Sequence, residues 1–167
     1  MHEAKDDVIE SVLNTIRNNT RLFAIIFISL VTALIAFLLN HPVMSQTKIV
    51  QSQLGNHRFI FSIADTESSR QQGLSDTSSL EDNHGMIFIF QNEENSCFWM
   101  KDMHYNLDIL WFNKQKRLVY DIRNVSPSTY PSTFCTPTPA LYVVEINAGV
   151  ADSLGLQRGA ALIAPNL

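Results

Sequence analysis

The chain has 167 residues, a formal net charge of −4, 46% hydrophobic residues and 10% aromatics. That is enough for one domain plus an appendage, and the apolar content argues against general disorder. No basic cluster appears, so nucleic-acid binding has no electrostatic support, and neither an internal repeat nor a low-complexity tract is present.

The appendage comes first. Residues 1–21 form a lead in which Val8, Ile9, Val12, Leu13 and Ile16 recur at helical spacing. The bland expectation is a helix running into a membrane span or lying on the membrane; the sharper one is a docking helix for a cytoplasmic partner. Leu22 to Leu39 (LFAIIFISLVTALIAFLL) carries no charge. As a helix it spans about 27 Å, just enough for a bilayer core. The alternative is a cleaved signal peptide, but its apolar run is usually shorter, and Asn40 to Met44 offers no good cleavage site. Lys5, Arg17 and Arg21 precede the span, while Lys48 and Arg58 lie further beyond it. This bias favours a cytoplasmic N-terminus, a single pass through the inner membrane and everything after residue 40 outside.

Residues 40–48 read as a polar stem, and 49–167 as an extracytoplasmic domain. From residue 40 on, nine Lys and Arg stand against twelve Asp and Glu, so no positive face is expected for anionic polymers. Arg58 to Ala64 is a strand candidate. Asp65 or Thr66 then caps a short helix to about Gln72, and Gly73 ends it. Met86 to Phe90 is a strand, Gln91 to Ser96 a polar turn, Phe98 to Lys101 a strand, and Asp102 to Asn106 a turn. Leu107 to Phe112 and Arg117 to Val125 are strands about a turn at Asn113 to Lys116. Ser126 to Pro139, with prolines at 127, 131, 137 and 139, is an extended loop. Leu141 to Asn147 is a strand, Ala148 to Leu154 one or two helical turns, and Ala161 to Ala164 a last short strand. Short strands at this spacing predict an all-β domain with minor helices, closed as a sandwich or barrel.

Five blocks in this order carry a resemblance: Arg70-Gln-Gln-Gly73-Leu74, Gly85 to Phe90, Phe98-Trp99-Met100-Lys101, Leu107-Asp108-Ile109, and Tyr142 to Glu145 followed by Ala148-Gly149. Over residues 57–164 the chain resembles the domain-of-unknown-function family 192. The resemblance implies a jelly-roll-like β-sandwich, often anchored or secreted, with no established activity and no catalytic residues to transfer. The chain departs from the family pattern at Ser75 and Thr77, where methionine and arginine are frequent, and at Gly159-Ala160, where Gly-Asp is usual.

Three groups of residues carry chemistry. Cys97 and Cys135 are the two cysteines. In an oxidising space a disulfide is the foremost reading, worth roughly 3–4 kcal/mol by chain entropy. Free thiols and a reactive or metal-bound thiol are the alternatives. Cys97, Met100, Met103 and His104 are types that copper(I) prefers, but strand alternation makes Met100 a core filler, leaving Met103 and His104 for an exposed turn. No metal or other cofactor is therefore assigned.

Finally, Lys101, Asp108 and Glu145 stand inside apolar strands. Buried charges need one another, Arg70 or backbone donors. A hairpin of the strands around Lys101 and Asp108 would let those two pair as a structural ion pair. The functional alternative is a polar pocket of Arg70, Lys101, Asp108 and Glu145, with Trp99 as an aromatic that contacts ligand. The expected role is a binding or envelope-associated module, its partner an envelope glycan or a protein. The rival is a glycan hydrolase using Asp108 and Glu145.

Overall fold

The computed structural model describes residues 3–40, 48–165 and 167, with side chains described from residue 19 in the first segment to residue 37. The expected stem lies almost wholly outside the described residues, as do the side chains of the apolar positions between Val8 and Ile16. The chain divides into two compact units, 1–46 and 47–167.

The first unit is one helix, α1 (Glu3–Asn40), which passes without a break through the expected lead and span. Asn19–Phe37 has a mean hydropathy of 2.3, long and apolar enough to cross a membrane. Its large side chains, among them Phe23, Ile25, Phe27 and Leu30, are exposed. A stretch whose described apolar side chains are exposed calls for an apolar surrounding or for removal as a signal sequence.

The second unit is mostly β, with few short helices. Its strands are β1 (Ile49–Leu54), β2 (His57–Ala64), β3 (His84–Glu94), β4 (Cys97–Trp99), β5 (Leu107–Phe112), β6 (Leu118–Val125), β7 (Thr133–Cys135), β8 (Ala140–Asn147) and β9 (Leu162–Ile163). The helices are α2 (Glu67–Gln72), α3 (Val150–Ser153) and a single 3-10 turn at Pro127–Thr129. Seven strands form one sheet in the order β6-β5-β8-β3-β2-β1-β9, and β4 and β7 form a separate ribbon. All pairings in the large sheet are antiparallel except β2 with β3, which are parallel and joined through α2. The sheet curls until its ends meet. Arg117 bridges Ala161, Leu118 N–H donates to Ala160 O at 2.9 Å, and Leu162 N–H donates to Lys116 O at 2.9 Å. Such closure removes exposed edges. The all-β expectation holds; its jelly-roll detail is not confirmed by this strand order.

Two apolar clusters follow from the alternation of side chains. The inner one draws on every strand of the large sheet and includes Leu54, Phe61, Ile87, Leu110, Phe112, Val144, Ile146 and Leu162. The second lies on the other face and packs Phe88, Ile109, Trp111 and Val143 against Leu74, Phe98, Met100 and Met103. Strands β5 and β8 touch both clusters, and every residue of β5 is buried. This is why Leu107 to Phe112 is apolar on both faces.

Three elements differ from the sequence expectation. Strand β1 was not expected, although Val50, Ser52 and Leu54 alternate inward. Strand β3 continues through the expected polar turn to Glu94. Strand β7 lies inside the proline-rich segment, which carries a cis Tyr130–Pro131 bond. Most consequentially, β4 and β5 do not form a hairpin: β4 pairs with β7, and β5 pairs with β6 and β8.

Gly85 shows how tightly the sheet is set. A Cβ there would lie 2.5 Å from the Glu145 carbonyl oxygen and 2.8 Å from the Phe61 ring. Both neighbours are buried parts of the sheet and cannot yield cheaply. Gly85→Ala is expected to cost about 2–3 kcal/mol in urea unfolding; an unchanged midpoint would refute this account of the β3–β8 contact.

Candidate functional site

The second layer leaves a concavity of about 230 Å³ on the outer face of the sheet. One wall is α2 and the loop after it, with Glu67, Arg70, Gly73 and Ser75; the other is the ribbon, with Ser96, Cys97, Phe98 and Trp99. Gln71, Gln72, Leu74, Phe88, Met103 and Glu145 complete the lining, and Glu94 and Phe90 stand at its β3 side.

Each wall has a local cause. Thr66 caps α2 through a reciprocal pair with Ser69 (a capping box), and Gly73 at φ 52° ends it. Arg70 fastens the helix to the sheet: its Nη1 donates to Ile89 O at 2.9 Å and its guanidinium lies 5.2 Å from the Phe90 ring centre. In the ribbon, Cys97 and Cys135 stand directly opposite each other and are disulfide-bonded. Trp111 Nε1–H donates to Ser96 Oγ at 3.2 Å, and the Phe98 ring meets Phe88 and Trp111 edge-on at 4.8 and 5.7 Å. These contacts hold the ribbon over the sheet and fix the width of the cleft.

The four charged residues expected as one cluster do not come together. Lys101 is half exposed and its nearest carboxylate is Asp102, at 3.9 Å. The expected Lys101–Asp108 pair is absent because the hairpin that would have formed it is absent. Asp108 is fully buried, and backbone donors satisfy it: Oδ1 accepts from Asn124 N–H at 2.9 Å and Oδ2 from Ala151 N–H at 2.9 Å. It thereby supplies the cap that Gly149 cannot give α3. Asp108 pairs in register with Ile146, and Glu145 with Ile109. Neighbours in register share a face, so Asp108 and Glu145 project to opposite faces of the sheet.

Glu145 is the unusual group. It is 4% exposed, flanked by Met86 and Ile109, and opens on the cleft. No hydrogen bond from the described residues reaches its carboxyl, whose oxygens keep their access to the cleft. Burial alone pushes its pKa from 4.5 up to about 8; neither Arg70 nor Lys101 offsets the desolvation. Beside it, burial also raises the Tyr105 phenol, whose hydroxyl pairs with Thr77 Oγ1 at 2.7 Å.

The remaining expected residues fall as follows. Trp99 is 47% exposed at the rim of the cleft. Cys97 is engaged in the disulfide, Met100 and Met103 are buried in the second cluster, and His104 is exposed, so the soft-metal set is dispersed. The exposure expected for Met103 is thus corrected: it fills the floor under the cleft. Phe88, Glu67 and Glu94 were not singled out from sequence, since nothing in their spacing ties α2 to the end of β3. A second, larger and more open hollow of about 410 Å³ crosses β1 and β2, over the buried Ser52 hydroxyl, which has no partner among the described residues.

With this geometry in view, relatives can be placed. The model of DUF192, described as an uncharacterised ACR, matches residues 49–164. The chain belongs to the DUF192 family. A crystal structure from Sinorhizobium meliloti 1021, provisionally described as a transcription regulator, is 26% identical with a TM-score of 0.70, covering 74% of this chain and 98% of its own. A protein of unknown function from Novosphingobium aromaticivorans DSM 12444 is 30% identical with a TM-score of 0.65, covering 73% of this chain and 89% of its own. No curated protein matches. Membership in DUF192 gives the fold a lineage and leaves the role of the cleft open.

Two measurements test the assignment of these carboxyls. A native pKa of about 8 against 4.5 unfolded means that the native state holds a proton the unfolded state releases between those values. Stability is then full below pH 4.5 and is lost as pH rises towards 8, at up to roughly 1.4 kcal/mol per unit. Glu145→Gln is expected to remove that slope, so the stability difference moves in the variant's favour as pH rises; parallel profiles would contradict it. Asp108→Asn replaces one acceptor by a donor facing a buried N–H. It is expected to cost about 2–3 kcal/mol in thermal unfolding while leaving the cleft resonances in place.

Proposed function

We propose that this chain is a single-pass, membrane-anchored binding protein whose outer β domain holds a compact ligand in the cleft between α2 and the ribbon, without catalysis. The observation that carries this reading is Glu145: a buried carboxyl with no hydrogen-bond partner among the described residues, opening on an aromatic-lined concavity. Burying a polar group without a partner costs free energy, and such groups in clefts are where ligands are met. A cleft of about 230 Å³ suits one sugar ring or one side chain, so an envelope glycan or a protein partner contributes a single unit.

The anchor reading is supported by the apolar stretch Asn19–Phe37 and by basic residues placed before it, which favour an outer position for residues 47–167. The Cys97–Cys135 disulfide suits the same oxidising side. Hydrolysis by Asp108 and Glu145 would need both carboxyls to converge on one bond. Their projection to opposite faces, and the engagement of both Asp108 oxygens, speak against that pair. The regulator description of the Sinorhizobium relative is not carried over, because nine basic residues against twelve acidic ones give this domain no surplus for phosphates.

The test is a panel of monosaccharides, short peptides and small amines titrated into the full chain in detergent micelles, read by amide chemical shifts. Shifts are expected at Arg70, Gly73, Trp99 and Glu145, with binding weakened about fivefold or more by Trp99→Ala. Shifts confined to the hollow over Gln51, Arg58 and Asn83 would overturn the assignment of the cleft.

A further inference from the structure

Resting on the cleft as the binding site, we infer that its ligand presents a primary ammonium group on a short apolar stem, and that this ammonium docks on the Glu145 carboxylate. Three carboxyls, Glu67, Glu94 and Glu145, line the cleft against one guanidinium, Arg70. That guanidinium gives one N–H to the Ile89 carbonyl and lies against the Phe90 face. An anion therefore meets net repulsion from the three carboxyls. A divalent metal is equally unsuited, since among the described residues no three His, Cys, Asp or Glu converge.

What Glu145 lacks is donors. An ammonium offers three donors and no acceptor, so it can satisfy a carboxylate that the protein leaves bare. The lining beside it is aromatic and apolar, with Phe88, Phe98, Met103 and Trp99. Such walls favour a cation over their ring faces and an alkyl stem along their edges.

The groups facing Glu145 are few. Tyr105 precedes β5, Arg70 and Glu67 come from α2, Glu94 from β3 and Ser96 from the start of the ribbon, while Lys101, half exposed beside Asp102, does not line the cleft. The disulfide beside the cleft does not titrate. Amine binding must therefore displace the proton that Glu145 holds, and the displaced proton is the signature of this chemistry.

The experiment titrates the full chain in nonionic micelles with n-butylammonium and with Nα-acetyl-lysine methylamide. Their neutral counterparts are 1-butanol and Nα-acetyl-norleucine methylamide. Calorimetry at pH 7 in two buffers of different ionisation enthalpy is expected to show about one proton released per amine bound. Affinity is expected to rise roughly 50-fold between pH 6 and pH 8, following the fraction of ionised Glu145. Glu145→Gln is expected to lose tenfold or more. Binding by both amines supports a general ammonium site; binding by the lysine derivative alone supports a polypeptide side chain as its source. Neutral counterparts that bind within twofold, or a flat pH profile, overturn the ammonium assignment while cleft shifts preserve the binding site. A cleft unmoved by every compound overturns both. Because the pH profile is read on the unaltered chain, the test does not depend on the variant folding.

Discussion

The pairing of β5 with β8 is the constraint on which the rest of the domain depends. Both strands sit in the middle of the sheet and are packed on both faces, so neither Asp108 nor Glu145 can escape to water. Each one must find a donor or bear the desolvation. Asp108 on β5 finds two backbone N–H groups, one in the irregular β5–β6 pairing and one at the start of α3. Glu145 on β8 faces the other way, between Met86 and Ile109, and finds none. The bare Cα of Gly85 lets β3 approach β8 at this point, so the position of Glu145 is set by packing rather than by its own contacts.

The cleft exists because the outer face is covered incompletely. Met100, Met103, Leu74 and Phe98 roof the second cluster, and α2 and the ribbon form the two sides that remain apart. A three-residue strand has little pairing energy of its own. The ribbon is instead pinned by the disulfide, by the Trp111–Ser96 hydrogen bond and by the edge-on contacts of Phe98. A cross-link across this loop contributes roughly 3–4 kcal/mol by restricting the unfolded chain. A wall held at several points keeps its shape without a ligand, which lowers the cost of binding one.

Much of this was legible in the sequence. Strand spacing gave the all-β class, the unbroken apolar run gave α1, and Thr66 with Gly73 marked both ends of α2. What was not legible depended on which strand lies beside which. A six-residue turn between Lys101 and Asp108 reads as a hairpin, yet Phe98 is needed over Phe88 and Trp111, and that draws β4 away to pair with β7. The prolines around β7 hid a strand because a three-residue ribbon leaves room for them outside its ladder. The oddness of Asp108 and Glu145 in apolar strands was plain from sequence. Their opposite fates were not, because facing depends on register and register is a tertiary property.

The contrast between these two carboxyls carries the functional argument. A buried charge whose oxygens are both satisfied needs no further explanation than the cap it provides. A buried carboxyl left bare is a different matter, since an apolar residue of similar volume would pack with Met86 and Ile109 at no desolvation cost. Local rules are broken chiefly where a site needs them broken. Glu145 breaks one in the floor of a concavity that sets three carboxyls and several aromatic rings against one guanidinium. The missing partner must then come from outside the chain, and for the ionised carboxyl it must be a donor.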